Sequence, residues 1–177
     1  FDNSVFLSER QHADRNISLA YYMRENNAFM GNPEPSRIQQ TLDLYFQCCS
    51  ILIDSNMGAS ISATLANGGF SPISKKNVFS SDTIRDCLTL MYGCGMYDFS
   101  GQFSFEIGLP AKSGVSGCVF VVVPNVMGMC IYSPRLDDQG NSVRGIEVCR
   151  KVKDYFKAHI FQNIIDYRLD DKYIINT

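Results

Sequence analysis

The sequence has no concentration of charge of either sign. Its 16 Lys and Arg and 18 Asp and Glu give a net charge of -2 and are scattered along 177 residues. That removes the electrostatic footprint of a nucleic-acid binder or of a protein held on an anionic membrane. Long apolar runs are also missing: the longest, residues 118–124, falls well short of the ~20 residues a spanning helix needs. Histidine is scarce. His12 and His159 are too few and too far apart to form a metal cluster, so neither a metal nor a cofactor is expected. The seven cysteines, at positions 48, 49, 87, 94, 118, 130 and 149, show no C-x-x-C spacing and no paired histidine. They are expected to be buried thiols of a reducing compartment rather than a disulfide framework or a zinc site. Internal repeats, low-complexity tracts and long linkers are absent, so the chain reads as one folded unit with a tail.

What is present is core material. With 45% hydrophobic and 12% aromatic residues, a chain of this length can bury a substantial core, which excludes disorder. Asp14 is placed to cap a helix over residues 15 to about 26, with Ile17, Leu19, Ala20 and Tyr21 or Met23 near helical spacing. The stretch Gly31-Asn32-Pro33-Glu34-Pro35 breaks it. Ser36 is the expected cap of a second helix, whose apolar stripe is Ile38, Leu42, Tyr45, Phe46 and Cys49. A third helix opens at Asp54 or Ser55 and stops at Asn67-Gly68-Gly69. Its small residues, Gly58, Ala59, Ser60, Ser62 and Ala63, permit close packing and predict a central position. Ser80 or Ser81 caps a fourth helix over residues 82–92. Residues 117–124 and 127–132, joined through Pro124-Asn125, read as two antiparallel strands, and their apolar character on both faces predicts an interior position. A polar loop over residues 136–141 leads into a last amphipathic helix built on Val143, Ile146, Val148 or Cys149, Val152, Tyr155 and Phe156. Helices before and after a strand pair imply an α+β layered fold.

The most informative local pattern is Lys112-Ser113-Gly114-Val115, which leads straight into the first predicted strand. In penicillin-recognising acyl-transfer enzymes a Lys-[Thr/Ser]-Gly edge strand lines the site, and a backbone N–H beyond the glycine polarises the scissile carbonyl. Three residues alone more often make a turn before a strand. A serine acyl-enzyme also needs an activated hydroxyl, usually Ser-x-x-Lys at the start of a buried helix, so that the lysine one turn away takes the proton. This sequence contains no Ser-x-x-Lys. Either the site is of another kind or the nucleophile lies outside the segment.

The wider sequence favours the second option. The blocks Ser8-Glu9-Arg10, Asp14-Arg15-Asn16, Leu44-Tyr45-Phe46-Gln47, Ala63-Thr64-Leu65-Ala66-Asn67-Gly68-Gly69, Gly95-Met96-Tyr97-Asp98-Phe99-Ser100-Gly101 and Gly108-Leu109-Pro110-Ala111-Lys112-Ser113-Gly114-Val115 stand in an order that resembles the serine-dependent, β-lactamase-like glutaminases. Pro124-Asn125-Val126-Met127-Gly128 and Gly140-Asn141-Ser142-Val143 extend the likeness over residues 1–160. The resemblance implies a β-lactamase/DD-peptidase-like α+β fold and hydrolysis of L-glutamine to L-glutamate and ammonia through a serine acyl intermediate. It also implies that residues 1–160 are the C-terminal portion of a catalytic domain, followed by a tail or linker at 161–177 without an ankyrin signature. By the same resemblance, Glu9 binds the substrate α-amino group, Asn16 the amino-acid end, and Tyr45 projects a phenol into the pocket. Tyr97 takes part in proton transfer beside Lys112, and the Val115 N–H forms half of an oxyanion hole. The segment that would carry Ser-x-x-Lys is missing, so the isolated chain is expected to be inactive. A homotetramer and a mitochondrial location are what the animal members imply; a cytoplasmic location is the alternative. No nucleic-acid or membrane partner is expected.

Two rival readings use the same residues. A β-lactamase or D-peptidase relative would be expected to show Ser-Asp-Asn and a secretory context, and it leaves Glu9 and Asn16 without a reason. A non-catalytic binding or assembly module would explain the lack of a nucleophile.

Overall fold

The structure, a computed structural model, describes residues 1–31 and 33–162. Contacts divide the chain into two compact units, Phe1–Ile53 and a larger one that begins at Asp54. Most of the tail expected from residue 161 onward lies outside the described residues.

The first unit is built from α1 (Asn3–Gln11), α2 (Asp14–Glu25) and α3 (Pro35–Cys49). Ile38, Leu42 and Phe46 repeat at helical spacing along α3 and are buried. They pack with Ala13 and Ala20, and Phe6, Ile17 and Phe29 close over them. Helix α1 carries no fully buried residue, which explains why no apolar periodicity announced it. It starts because the Asp2 carboxylate accepts from the N–H groups of Ser4 and Val5, at 2.9 and 3.2 Å. Two expected caps move by a residue or two. Asp14 is the first residue of α2, and Ala13 stands before it without a side-chain bond. Ser36 lies inside α3, which begins at Pro35, a residue whose fixed φ and missing N–H suit the first helical position.

The second unit contains α4 (Ser55–Ala66), α5 (Ser81–Cys94), α6 (Ser100–Glu106), α7 (Val143–Phe156) and a three-stranded antiparallel sheet in the order β1 (Ala111–Ser113), β2 (Cys118–Val123), β3 (Met127–Tyr132). The caps expected at Asp54 and Ser80 are present, accepting from Met57 N–H at 2.8 Å and Thr83 N–H at 3.2 Å. Alternation along β2 supplies both layers of the core. Val119, Val121 and Val123 pack with Phe99, Phe103, Ile107 and Ile146 on one face. On the other, Val122 meets Ala66 and Met91, with Leu65 and Phe120 beside them.

The small-residue face of α4 lies on β3, as its composition predicts. A Cβ on Gly128 would collide with the backbone of Ser62 and Ala63, and one on Gly58 would collide with the Cys130 side chain. Ser62 Oγ donates to the Met129 carbonyl at 2.8 Å. Of the two predicted strands, β2 is interior, but β3 is only partly covered, because among the described residues it pairs with β2 alone. In α7, Ile146 and Cys149 are buried while Val143, Tyr155 and Phe156 are exposed.

The cysteines are less uniformly buried than composition suggests. Cys149 is fully covered, Cys48, Cys49 and Cys94 are exposed, and the rest lie between. Burial pushes the Cys149 thiol up to about 12. Burial, and then the neighbouring Cys130 thiol 3.5 Å away, do the same for Cys118.

Two outcomes test this packing. Gly128→Ala forces a methyl against α4 backbone that cannot swing aside, so it should destabilise the protein by about 2 kcal/mol or more in urea denaturation. Glu106 accepts from Gln102 at 2.6 Å and from Arg150 at 3.0 Å. The Gln102 bond first, and then Arg150, hold its carboxyl below the ordinary value of 4.5. A carboxylate lowered in the folded state stabilises it above its unfolded pKa, and that contribution is lost as pH falls below about 4.5. For a pair this exposed the contribution is under about 1 kcal/mol. Glu106→Gln should therefore show a shallower loss of Tm than wild type between pH 5 and pH 3.

Candidate active site

Helix α5 ends at Gly95, and the chain there presses so closely on β1 that a Cβ would collide with the Ala111 carbonyl. The Ser113 N–H donates to the Gly95 carbonyl at 2.9 Å. Two residues on, Tyr97 stands at φ +54°, a left-handed conformation that costs a non-glycine residue about 1–2 kcal/mol. The turn is held by Ser100, whose Oγ accepts from the Met96 N–H at 2.9 Å and donates to the Tyr97 carbonyl at 2.6 Å. The Tyr97 hydroxyl thereby reaches β1 and donates to the Ser113 carbonyl at 3.2 Å.

Lys112 meets the same point. Its ammonium donates to the Ser113 carbonyl and lies 4.8 Å from the centroid of the Tyr97 ring. A cation at that distance is attracted to the ring face and would also stabilise negative charge forming on the phenol oxygen. Two residues further, the chain leaves β1. The Val115 N–H donates to no group among the described residues. Val115 is 71% exposed, because the turn closed by Gly114 and Gly117 lifts it off the sheet. Tyr97 and Lys112 thus meet at the last carbonyl of β1, and Val115 follows it two residues later.

Glu9, Asn16 and Tyr45 all fall in the first unit, on α1, α2 and α3. Glu9 and Asn16 are half-buried. Among the described residues neither takes part in an ion pair or a side-chain hydrogen bond, the ion pair of this face being Arg10 with Asp43 at 3.1 Å. Tyr45 is exposed, and its ring stands edge-on to the buried Phe46 at 5.7 Å. The expectation of Tyr45 and Cys49 on the buried stripe gives way to Ile38, Leu42 and Phe46.

The second unit also holds a cavity of about 390 Å³ walled by Ile61, Leu65, Leu90, Met91 and Phe120, with Lys112 as its charged member. Residue-by-residue reasoning assigned no role to Ser100, Gly140 and Asn141. The sequence signal for them was only their position inside two of the resembling blocks.

A family model described as Glutaminase matches residues 1–161. The chain belongs to the glutaminase family. It is 49% identical over 164 residues to the mouse mitochondrial liver-isoform glutaminase, covering 93% of this chain and 27% of that protein. To a Nostoc glutaminase it is 43% identical over 161 residues, covering 91% and 47%. A crystal structure of a Bacillus subtilis glutaminase, in covalent complex with 5-oxo-L-norleucine, superposes with a TM-score of 0.80 at 35% identity, covering 89% of this chain and 54% of that one. The fold is the β-lactamase-like α+β arrangement that the sequence resemblance implies. The chain spans between about a quarter and about half the length of these glutaminases.

Tyr97→Phe removes one donor from the Ser113 carbonyl but leaves the Lys112 ammonium on it, so that carbonyl keeps a partner. The expected loss of stability is about 1 kcal/mol or less, read by urea denaturation, with an unchanged circular dichroism spectrum.

Proposed function

We propose that this chain is part of a glutaminase that hydrolyses L-glutamine to L-glutamate and ammonia through a serine acyl-enzyme. The observation that carries the reading is the joining of Tyr97, Lys112 and the uncommitted Val115 N–H in a chain of this family. The covalent complex of the Bacillus relative supports a nucleophilic route, since it formed by reaction of that protein with 6-diazo-5-oxo-L-norleucine.

In this reading the serine oxygen, supplied by polypeptide beyond the present sequence, adds to the amide carbon. The carbonyl oxygen takes up the negative charge, and the Val115 N–H donates to it as one half of the oxyanion hole. Tyr97 relays the proton from the attacking group to the departing nitrogen, so the C–N bond breaks and ammonia leaves. Lys112 lowers the cost of transient charge on the Tyr97 oxygen. Water then cleaves the ester by the reverse sequence of proton movements and releases glutamate. Glu9 binds the substrate ammonium as a carboxylate, Asn16 hydrogen-bonds the amino-acid end, and the Tyr45 phenol adds a further polar contact. Residues 1–160 form the C-terminal portion of the catalytic domain. In the same reading 161–177 are a C-terminal tail or the start of a linker.

The working assembly in this reading is a homotetramer in the mitochondrion. Mouse and rat relatives named as mitochondrial support the location. The exposed face of α2, with Leu19, Tyr22 and Met23 at i, i+3 and i+4, supports a subunit contact.

The test is ammonia release from L-glutamine by the full-length enzyme, with Tyr97→Phe expected to lower kcat by about 10²–10⁴-fold. The 177-residue chain alone should release none. Cleavage of a chromogenic β-lactam without glutamine turnover would replace this substrate with that of the penicillin-recognising enzymes. Full kcat in Tyr97→Phe would remove the tyrosine from the mechanism.

A further inference from the structure

We propose that Asn141 is a positioning residue for Tyr97, and that the loop after β3 exists to hold that tyrosine at the edge of β1. The proposal rests on the reading of Tyr97 as the proton-transfer group and adds a residue to which neither the resemblance nor the relatives assign a role.

Tyr97 cannot hold its own backbone. Its left-handed φ of +54° is unfavourable for a tyrosine, so neighbouring bonds must impose it. One set is local: Ser100 closes the turn through the Met96 N–H and the Tyr97 carbonyl. The other comes from far along the chain. Asn141, fully buried, donates from its amide nitrogen to the Met96 carbonyl at 3.2 Å. Since a carbonyl can only accept, the amide must present its NH₂ there. A buried apolar residue of the same size would fill the space, so a donor at this point has a directional task.

The next residue back completes the contact. Gly140, at φ +84°, lies against the Tyr97 ring, with the position of a Cβ 3.6 Å from ring carbon Cδ2. A side chain at position 140 would therefore meet the ring, and the Lys112 ammonium lies 4.8 Å from the ring centroid. The loop that delivers these contacts is itself braced. Asp137 Oδ1 accepts from the N–H groups of Gln139 and Asn141 at 3.0 and 2.9 Å, and the Asp137 N–H donates to the Asn141 carbonyl at 2.7 Å. Ser142 follows at once, donating from Oγ to the Ser133 carbonyl at 2.6 Å and capping α7 through the Gly145 N–H at 3.0 Å. A displacement of the loop would thus have to move β3's exit and the start of α7 together. Asn141 transmits that rigidity to the phenol.

The test uses the full-length enzyme carrying Asn141→Ala, Asn141→Asp or Ser100→Ala, each also with 3-fluorotyrosine at position 97. Aspartate keeps the shape but cannot donate to the Met96 carbonyl. Misplacing a reacting group by about 1 Å can cost 10²-fold, so kcat for glutamine should fall by about 10- to 100-fold with KM altered less than about threefold. The ¹⁹F resonance at position 97 should shift and its titration midpoint should move. Asn125→Ala, in the β2–β3 turn where φ is +62°, is the control for simple loss of stability and should leave kcat and the ¹⁹F signal unchanged. Wild-type kcat in folded Asn141→Ala overturns the proposal, as does a lower kcat with an unmoved ¹⁹F titration. If Asn141→Ala does not fold, Asn141→Asp decides by the same two readouts. Failure of the underlying reading looks different: Tyr97→Phe would then keep full activity, whereas an inactive Tyr97→Phe beside a fully active Asn141→Ala rejects the positioning role alone.

Discussion

Close approach of backbone to backbone is the constraint on which the larger unit depends. At two places, Gly128 beneath α4 and Gly95 against β1, a single added carbon would collide with main-chain atoms. The first contact sets how deeply α4 sits on the sheet, and hence how Ser62 reaches the Met129 carbonyl. The second ties the end of α5 to the shortest strand, so that the residues after Gly95 leave the helix already beside β1. Tyr97 is near Lys112 because a glycine two positions earlier allows it. Packing at this density leaves no slack for the chemistry to drift.

On that scaffold one carbonyl oxygen gathers two side-chain donors. Ser113 accepts from the Tyr97 phenol and from the Lys112 ammonium at once. The same neutral acceptor thus fixes the phenol and the ammonium beside one another, with the ammonium 4.8 Å from the ring centroid. Strand β1 contributes a second device at no extra length. Its backbone turns out of the sheet at Gly114, which leaves the next peptide N–H without a partner among the described residues.

Much of this was legible in the residues. The third and fourth helices, the hairpin and the last helix follow from apolar periodicity, from side chains that cap, and from Pro124-Asn125 at the turn. The central place of α4 could be read from Gly58 and its small neighbours, because only small residues let a helix sit so close. Other features escaped for physical reasons. Helix α1 has no buried face to give it a period, and its start depends on the Asp2 carboxylate. The stripe of α3 is narrower than the apolar residues suggest, since Tyr45 and Cys49 are hydrophobic in part yet exposed. Nothing in composition marks the boundary after Ile53. The site was legible chiefly as a set of ordered blocks: residue types alone could not tell Lys-Ser-Gly from an ordinary turn, nor reveal that Asn141 reaches Met96 across 45 positions.

The graded burial of the cysteines settles how the protein meets oxidants and alkylating agents. A thiol attacks as its anion, and burial keeps Cys149 and Cys118 almost wholly protonated at neutral pH. Cys48 and Cys94 stand in solvent. Sulfenylation or adduct formation is therefore expected first at these outer thiols, ahead of the fully covered Cys149.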